Sequence, residues 1–280
     1  MKNKSEKILL VLAIGFILIG SLIFLYPTIS NYFAEKNHVE IIKKYDTITT
    51  QMDESNIEDE WQKAKVYNEN LAGEPVHDPF VAGSGYALPK NYMDVLNITN
   101  DGTMASIEIP KIDVYLPIYH GTSEEVLEKG VGHIQTTSLP IGGISTHSVL
   151  TGHTGLPSSE LFTRLDELQI GDIFYIHILK KILTYKIYET KVILPNQIDE
   201  LQITNGEDLV TLVTCTPYGI NTHRLLVKAK ACEYEEYKKQ GSSLNEDSGE
   251  KLDKKNYYLI GSIIGVVIII VIFGMFVIFR

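Results

Sequence analysis

The chain has no dense run of lysine or arginine, and its net charge is −10 over 280 residues. A protein that tracks the nucleic-acid backbone needs a basic footprint, so nucleic acid is not an expected partner. Histidine, cysteine and carboxylates never cluster at zinc or calcium spacing, and no metal or other cofactor is expected. There is no internal repeat. Cysteine is nearly absent, with only Cys215 and Cys232. A disulfide between them is disfavoured. Cys215 closes one apolar run and Arg224 opens the next. If these are antiparallel strands, Cys232 lies eight residues beyond Arg224, about 26 Å away at 3.3 Å per residue. A disulfide needs Cα atoms within about 7 Å. The expectation is a thiol at 215 outside any disulfide, and a small apolar residue at a strand end for Cys232.

The composition is 44% hydrophobic, a figure raised by two uncharged runs. One covers residues 8–26 and would form a helix of about 28 Å; the other, Leu259 to Phe279, would reach about 31 Å. Both match a hydrocarbon core of about 30 Å. A cleaved signal peptide is the alternative for the first run, but no small-x-small site follows it; Tyr26, Pro27 and Thr28 come next. Lys2, Lys4 and Lys7 precede that run and favour a cytoplasmic N-terminus. Two spans then put the middle of the chain outside the cell. Lys251, Lys254 and Lys255, just before the second run, argue the other way. The expected layout is a cytoplasmic tail (1–7), a transmembrane helix (8–26), a helical segment (27–72), a loop (73–90), a β-rich domain (91–233), a linker (234–256) and a second transmembrane helix (257–279).

Within residues 31–70, Ile41, Ile42, Tyr45, Ile48 and Met52, then Ile57, Trp61 and Ala64, recur at helical spacing. These one or two amphipathic helices either pack on the following domain or form a stalk. Residues 73–90 hold three prolines and three glycines and read as a loop. From Thr103 to Cys232, about seven short β-branched runs alternate with turn residues such as Asp101-Gly102, Gly142-Gly143 and Asn205-Gly206. That pattern predicts an all-β domain, a closed barrel or a sandwich. Helical interludes are expected at Ser123–Lys129, with Ser123 as cap, and at Glu160–Leu168.

Cys215 stands where a strand meets a turn, in TLVTC followed by TPYG. A thiol at such an edge serves as a nucleophile if a cation or base stabilises its thiolate; a buried structural cysteine is the alternative. Arg224, nine residues on, begins the next strand. Its guanidinium would favour thiolate and donate to an oxyanion, unless it is merely a surface arginine. Of the eight histidines, His153 is best placed to act as base, at a strand end in SVLTGHTG. His147 falls at the far end of that strand, His177 reads as packing, and His223 beside Arg224 is the rival.

TLVTC, eight residues, then Arg, with TGH upstream, resembles the sortases. IEIPKIDVYLPIYHG, LEKGVGHIQTTSLPIGG and HSVLTGHTG extend the likeness from Met104 to Ala231. The resemblance implies a closed eight-stranded β-barrel with Cys215, His153 and Arg224 as the catalytic set. The second apolar run, and His77-Asp78-Pro79-Phe80, resemble the class C, pilin-polymerising sortases. In that class an Asp-Pro-aromatic lid covers the cleft, so Asp78 would pair with Arg224 and Phe80 would cover Cys215. Many members carry Trp where this chain has Phe80. From the residues alone, Asp78-Pro79 reads as a plain turn. The implied activity is cysteine transpeptidation. An LPxTG-like signal is cut between Thr and Gly through a thioester on Cys215 and joined to a pilin lysine. A cell-wall-anchoring sortase using a peptidoglycan amine, or a non-catalytic membrane-anchored surface protein, are the alternatives.

Overall fold

The computed structural model describes residues 4–71 and 91–233, together with Gly261 and Gly265. The chain divides into two units, Met1–Ala34 with Ser242–Arg280, and Glu35–Gly241. In the first, helix α1 (Lys4–Gln51) begins. Among the described residues it is the one helix long and apolar enough to cross a membrane. It continues through Pro27, so the expected boundary at 26/27 is not a break in the helix. The second expected span and its preceding lysines lie outside the described residues, apart from the two glycines.

In the second unit, eight strands close into a barrel in the order β1-β2-β3-β4-β7-β8-β6-β5. They are β1 (Thr103–Ile109), β2 (Val114–His120), β3 (Val131–His133), β4 (Thr146–Thr151), β5 (Ile173–Ile178), β6 (Lys181–Ile193), β7 (Asp208–Thr216) and β8 (His223–Cys232). Neighbours are antiparallel except β2 with β3 and β4 with β7. Seven of these strands coincide with the β-branched runs. The eighth, β3, has three residues, too few to show an alternation. Between β2 and β3 lies helix α3 (Glu124–Lys129). The Ser123 hydroxyl accepts from the Val126 N–H at 3.3 Å, which caps the helix as expected. Glu160–Leu168 does not form the expected α-helix. Leu161 sits at φ +39°, a conformation no helix continues through, and only a 3-10 turn, Leu165–Glu167, remains.

The amphipathic helices pack on the barrel and are no stalk. On α2 (Glu54–Leu71) the stripe Ile57, Trp61, Ala64, Tyr67 and Leu71 joins the barrel's own core. Full burial of such a side chain stabilises by about 1.5–3 kcal/mol. Polar ties fix the register. Asn68 exchanges two hydrogen bonds with the Leu139 main chain, at 3.2 and 2.7 Å. From α1, the Tyr45 hydroxyl donates to the Met104 carbonyl and accepts from the Leu179 N–H, both at 2.9 Å. Lys181 lies 3.9 Å over the Trp61 ring.

The turns that lead into β1 are anchored, through Tyr92, by a buried histidine at the end of β3. His133 is fully enclosed, and burial pushes its pKa down to about 3. The Ser138 carbonyl can only accept, so Nε2 carries the proton at 2.9 Å, and Nδ1 accepts from the Tyr92 hydroxyl at 2.9 Å. Below the ordinary value of 6.5, the unfolded chain binds a proton here that the native chain refuses. Stability from this residue is therefore complete above pH 6.5 and is lost as pH falls towards 3. Between pH 6.5 and 4.5 the loss amounts to about 2–3 kcal/mol. Urea unfolding in detergent should show this slope, and His133→Gln should flatten it. An equal slope in both proteins would refute the assignment.

Candidate active site

Side chains alternate across a strand, and the two hydrophobic clusters show which face is which. Val210, Leu212, Leu225, Val227 and Ala229 belong to the main core. Val213, Leu226 and Val149 belong to a second cluster with Ile134, Ile193 and Leu201, on the outer face of the barrel. Cys215 lies two residues beyond Val213, and Arg224 two before Leu226. Both therefore project from the outer face. They are also direct partners in the β7–β8 ladder, Cys215 opposite Arg224. The expectation that residues 215 and 224 come together as two antiparallel strands pair holds in this register. Cys232 ends β8 at the far side of the ladder, where its Sγ lies 3.6 Å from the Thr184 carbonyl; neither cysteine is in a disulfide.

His153 reaches the same row through the parallel pair β4–β7. Thr151 pairs with Val213. The ladder goes one step further, with the Gly152 N–H donating to the Val213 carbonyl at 3.1 Å. The Thr214 hydroxyl then donates to the Gly152 carbonyl at 2.7 Å. Continuing that register sets His153 level with Cys215, on the face of Val149. Cys215 and Arg224 thus stand opposite each other on neighbouring strands, and His153 follows the end of β4, the strand on the other side of β7; at about 4.8 Å per strand the three main-chain positions span roughly 10 Å.

The other described histidines are placed elsewhere. His147 occupies the opposite end of β4, hydrogen-bonded to the Gln202 carbonyl and the Thr211 hydroxyl at 2.8 and 2.7 Å. His223 pairs with Thr216, one residue off the row, so it faces the other side of the ladder from Arg224. His177 packs edge-on against the Tyr115 ring, as expected of a packing residue, but it also has a polar partner. It stands half-buried on β5, 2.9 Å from a Glu108 carboxylate oxygen. His38, His120 and His133 are buried. Asp78 and Phe80 of the expected lid, and His77, lie outside the described residues.

The surroundings set the charge of each group. Cys215 and His153 are half-buried and Arg224 is buried. Arg224 Nη1 donates to the carbonyls of Asn221 and His223, each at 3.2 Å. Burial holds the His153 imidazole below the ordinary histidine value, while the carboxylates of Glu128 and Glu124 on α3 push the other way. The imidazole is therefore neutral at pH 7, ready to accept a proton. Further down the same face, Lys228 pairs with Glu200 and Glu189 at 2.8 and 3.3 Å. This ties the β6–β7 connection, which carries Leu201, over the outer cluster. Among the described residues there is no group of three or more histidine, cysteine or acidic side chains that would hold a metal ion.

Residues 107–232 match the model of the sortase domain family. The chain is 33% identical over 113 residues to sortase D of Bacillus subtilis, an alignment covering 40% of this chain and 54% of that protein. It is 26% identical over 226 residues to sortase A of Staphylococcus aureus, covering 79% and 93%. The crystal structure of sortase C-1 from Streptococcus pneumoniae is similar at 44% identity and TM-score 0.65, over 70% of this chain and 99% of that one. Sortase C-1 from Actinomyces oris is similar at 46% identity and TM-score 0.59, over 64% and 99%. A pilus-related sortase C of group B Streptococcus is similar at 37% identity and TM-score 0.64, over 69% and 97%.

Proposed function

Since the chain belongs to the sortase family of cysteine transpeptidases, with class C enzymes among its structural neighbours, we propose that it polymerises pilins. In this reading it cuts an LPxTG-like sorting signal between Thr and Gly and joins the Thr carbonyl to a lysine amine of another subunit. The observation that supports this chemistry is the pairing of Cys215 with Arg224 across β7 and β8, with His153 following the end of β4, the parallel neighbour of β7.

The steps follow from the state of each group. Neutral His153 takes the thiol proton as Cys215 Sγ attacks the Thr carbonyl carbon. Negative charge then develops on the carbonyl oxygen, and the Arg224 guanidinium beside the sulfur donates to it. The C–N bond breaks, and His153 passes its proton to the departing glycine amine. A thioester remains on Cys215. It is more reactive toward amines than the amide it replaced, so a lysine amine displaces the sulfur while His153 accepts the amine's proton. His153 passes that proton to the departing sulfur, which restores the thiol and the neutral imidazole. No step calls for a metal.

The choice of amine distinguishes pilus assembly from cell-wall anchoring. Purified protein incubated with an LPxTG peptide should gain the mass of the peptide truncated after Thr, on Cys215. A lysine side-chain peptide should then discharge it as an amide. An adduct discharged only by a peptidoglycan cross-bridge amine would turn the reading to anchoring. Absence of any adduct with varied sorting signals would remove it.

A further inference from the structure

β4 ends at Thr151, yet His153 lies two residues beyond, in a stretch that includes Gly152 and Gly155. Glycines widen the conformations a chain can sample, so an imidazole placed there needs its main chain held. The strand ladder supplies one rung, Gly152 N–H to the Val213 carbonyl, and stops. Three further contacts take over. On the β7 side, the Thr214 hydroxyl donates to the Gly152 carbonyl at 2.7 Å. From residues 162–163, the Phe162 N–H donates to the His153 carbonyl at 3.1 Å, and the Thr163 hydroxyl accepts from the Gly155 N–H at 3.1 Å. The Phe162 ring fills the space over Gly152, where a Cβ would come within 2.9 Å of it.

Two of these contacts are made by side-chain hydroxyls, one to the main chain before His153 and one to the main chain after it. Thr214 is 3% exposed, so its hydroxyl has no water to prefer over the carbonyl. We propose that Thr214 and Thr163 are positioning residues for His153, their hydroxyls holding the main chain before and after it so that the imidazole stays level with Cys215. The inference rests on the reading of Cys215 and His153 as a reacting pair. Both threonines act through the main chain of the loop. A loss of either lets the loop drift, and a misplacement of about 1 Å costs on the order of 100-fold in rate.

The test uses the full chain in detergent. Thr214→Val and Thr163→Val keep the branching and remove the hydroxyl. Thr214→Ser and Thr163→Ser keep the hydroxyl, and His153→Ala shows the protein without the imidazole. Two quantities are read: kcat and KM for acyl transfer from an LPxTG peptide, and the pH profile of Cys215 alkylation by iodoacetamide, separated from Cys232 by peptide mapping. The valine variants should lose about 10- to 100-fold in kcat with KM changed less than about two-fold. Their alkylation profiles should move towards that of His153→Ala, and the serine variants should recover both quantities. Valine variants with unchanged alkylation profiles, or serine variants that do not recover, would overturn the proposal. Alkylation needs no substrate, so it decides the positioning role even if no acyl transfer is seen, an outcome that would count against the proposed function alone.

Discussion

Cys215→Ala forms no thioester with any sorting-signal peptide. Turnover falls by roughly 10⁴-fold or more, as when a protease nucleophile is removed. The size of the effect follows from the site. Cys232 stands at the other end of β8, too far along the ladder to take over the attack. His153 and Arg224 remain in the variant but have no nucleophile to serve. The fold should survive, since Cys215 is half-buried at a strand end and its partner Arg224 keeps its hydrogen bonds to the Asn221 and His223 carbonyls. A stability change within about 1 kcal/mol is expected for such a truncation. Intact-protein mass spectrometry checks the first point and thermal unfolding the second. Normal adduct formation by the variant would end the assignment of Cys215.

His153→Ala costs about 10² to 10⁴-fold in acyl transfer, the range for a positioned acid–base group. The loss should shrink when the leaving group is an activated ester, which departs without a proton. An equal loss for ester and amide substrates would mean that His153 does something other than proton transfer. The pH profile of the unaltered protein carries a second check. Acylation needs His153 neutral, so activity rises as the imidazole loses its proton. Burial lowers that pKa below 6.5, and the acid limb should accordingly lie below 6.5. The limb belongs to the Cys215–His153 pair rather than to either residue alone. Glu124 and Glu128 hold the imidazole's pKa up. Changing both to glutamine should therefore move the limb to still lower pH. A limb that moves up, or stays, would place those carboxylates outside the field of the imidazole.

Much of the barrel was legible because alternation is a local property. Each of seven strands shows apolar residues at every second position, or a short β-branched run between turn residues. β3 escaped because three residues hold no period. The expected helix at Glu160–Leu168 failed for a reason invisible in the pattern, the positive φ of Leu161. His177 read as packing because it lies between two isoleucines. In the barrel those isoleucines face inward while His177 faces Glu108 across the β1–β5 pair.

What the amino-acid order determined by itself is the set of chemical parts and the antiparallel half of their arrangement. Cys215 and Arg224 end and begin consecutive strands, and a short connection between antiparallel strands brings such residues face to face. Helical spacing likewise marked Ile57, Trp61 and Ala64 as one face, without saying what that face covers. The parallel pairing of β4 with β7 was left to tertiary structure. About 60 residues separate His153 from Cys215, and no local pattern encodes the register of strands so far apart. That register comes from the barrel closing around its core, with the Thr214 hydroxyl adding a rung where the ladder runs out. It leads the chain from Thr151, opposite Val213, toward His153, and it turns His223, next to Arg224 in the chain, to the opposite face.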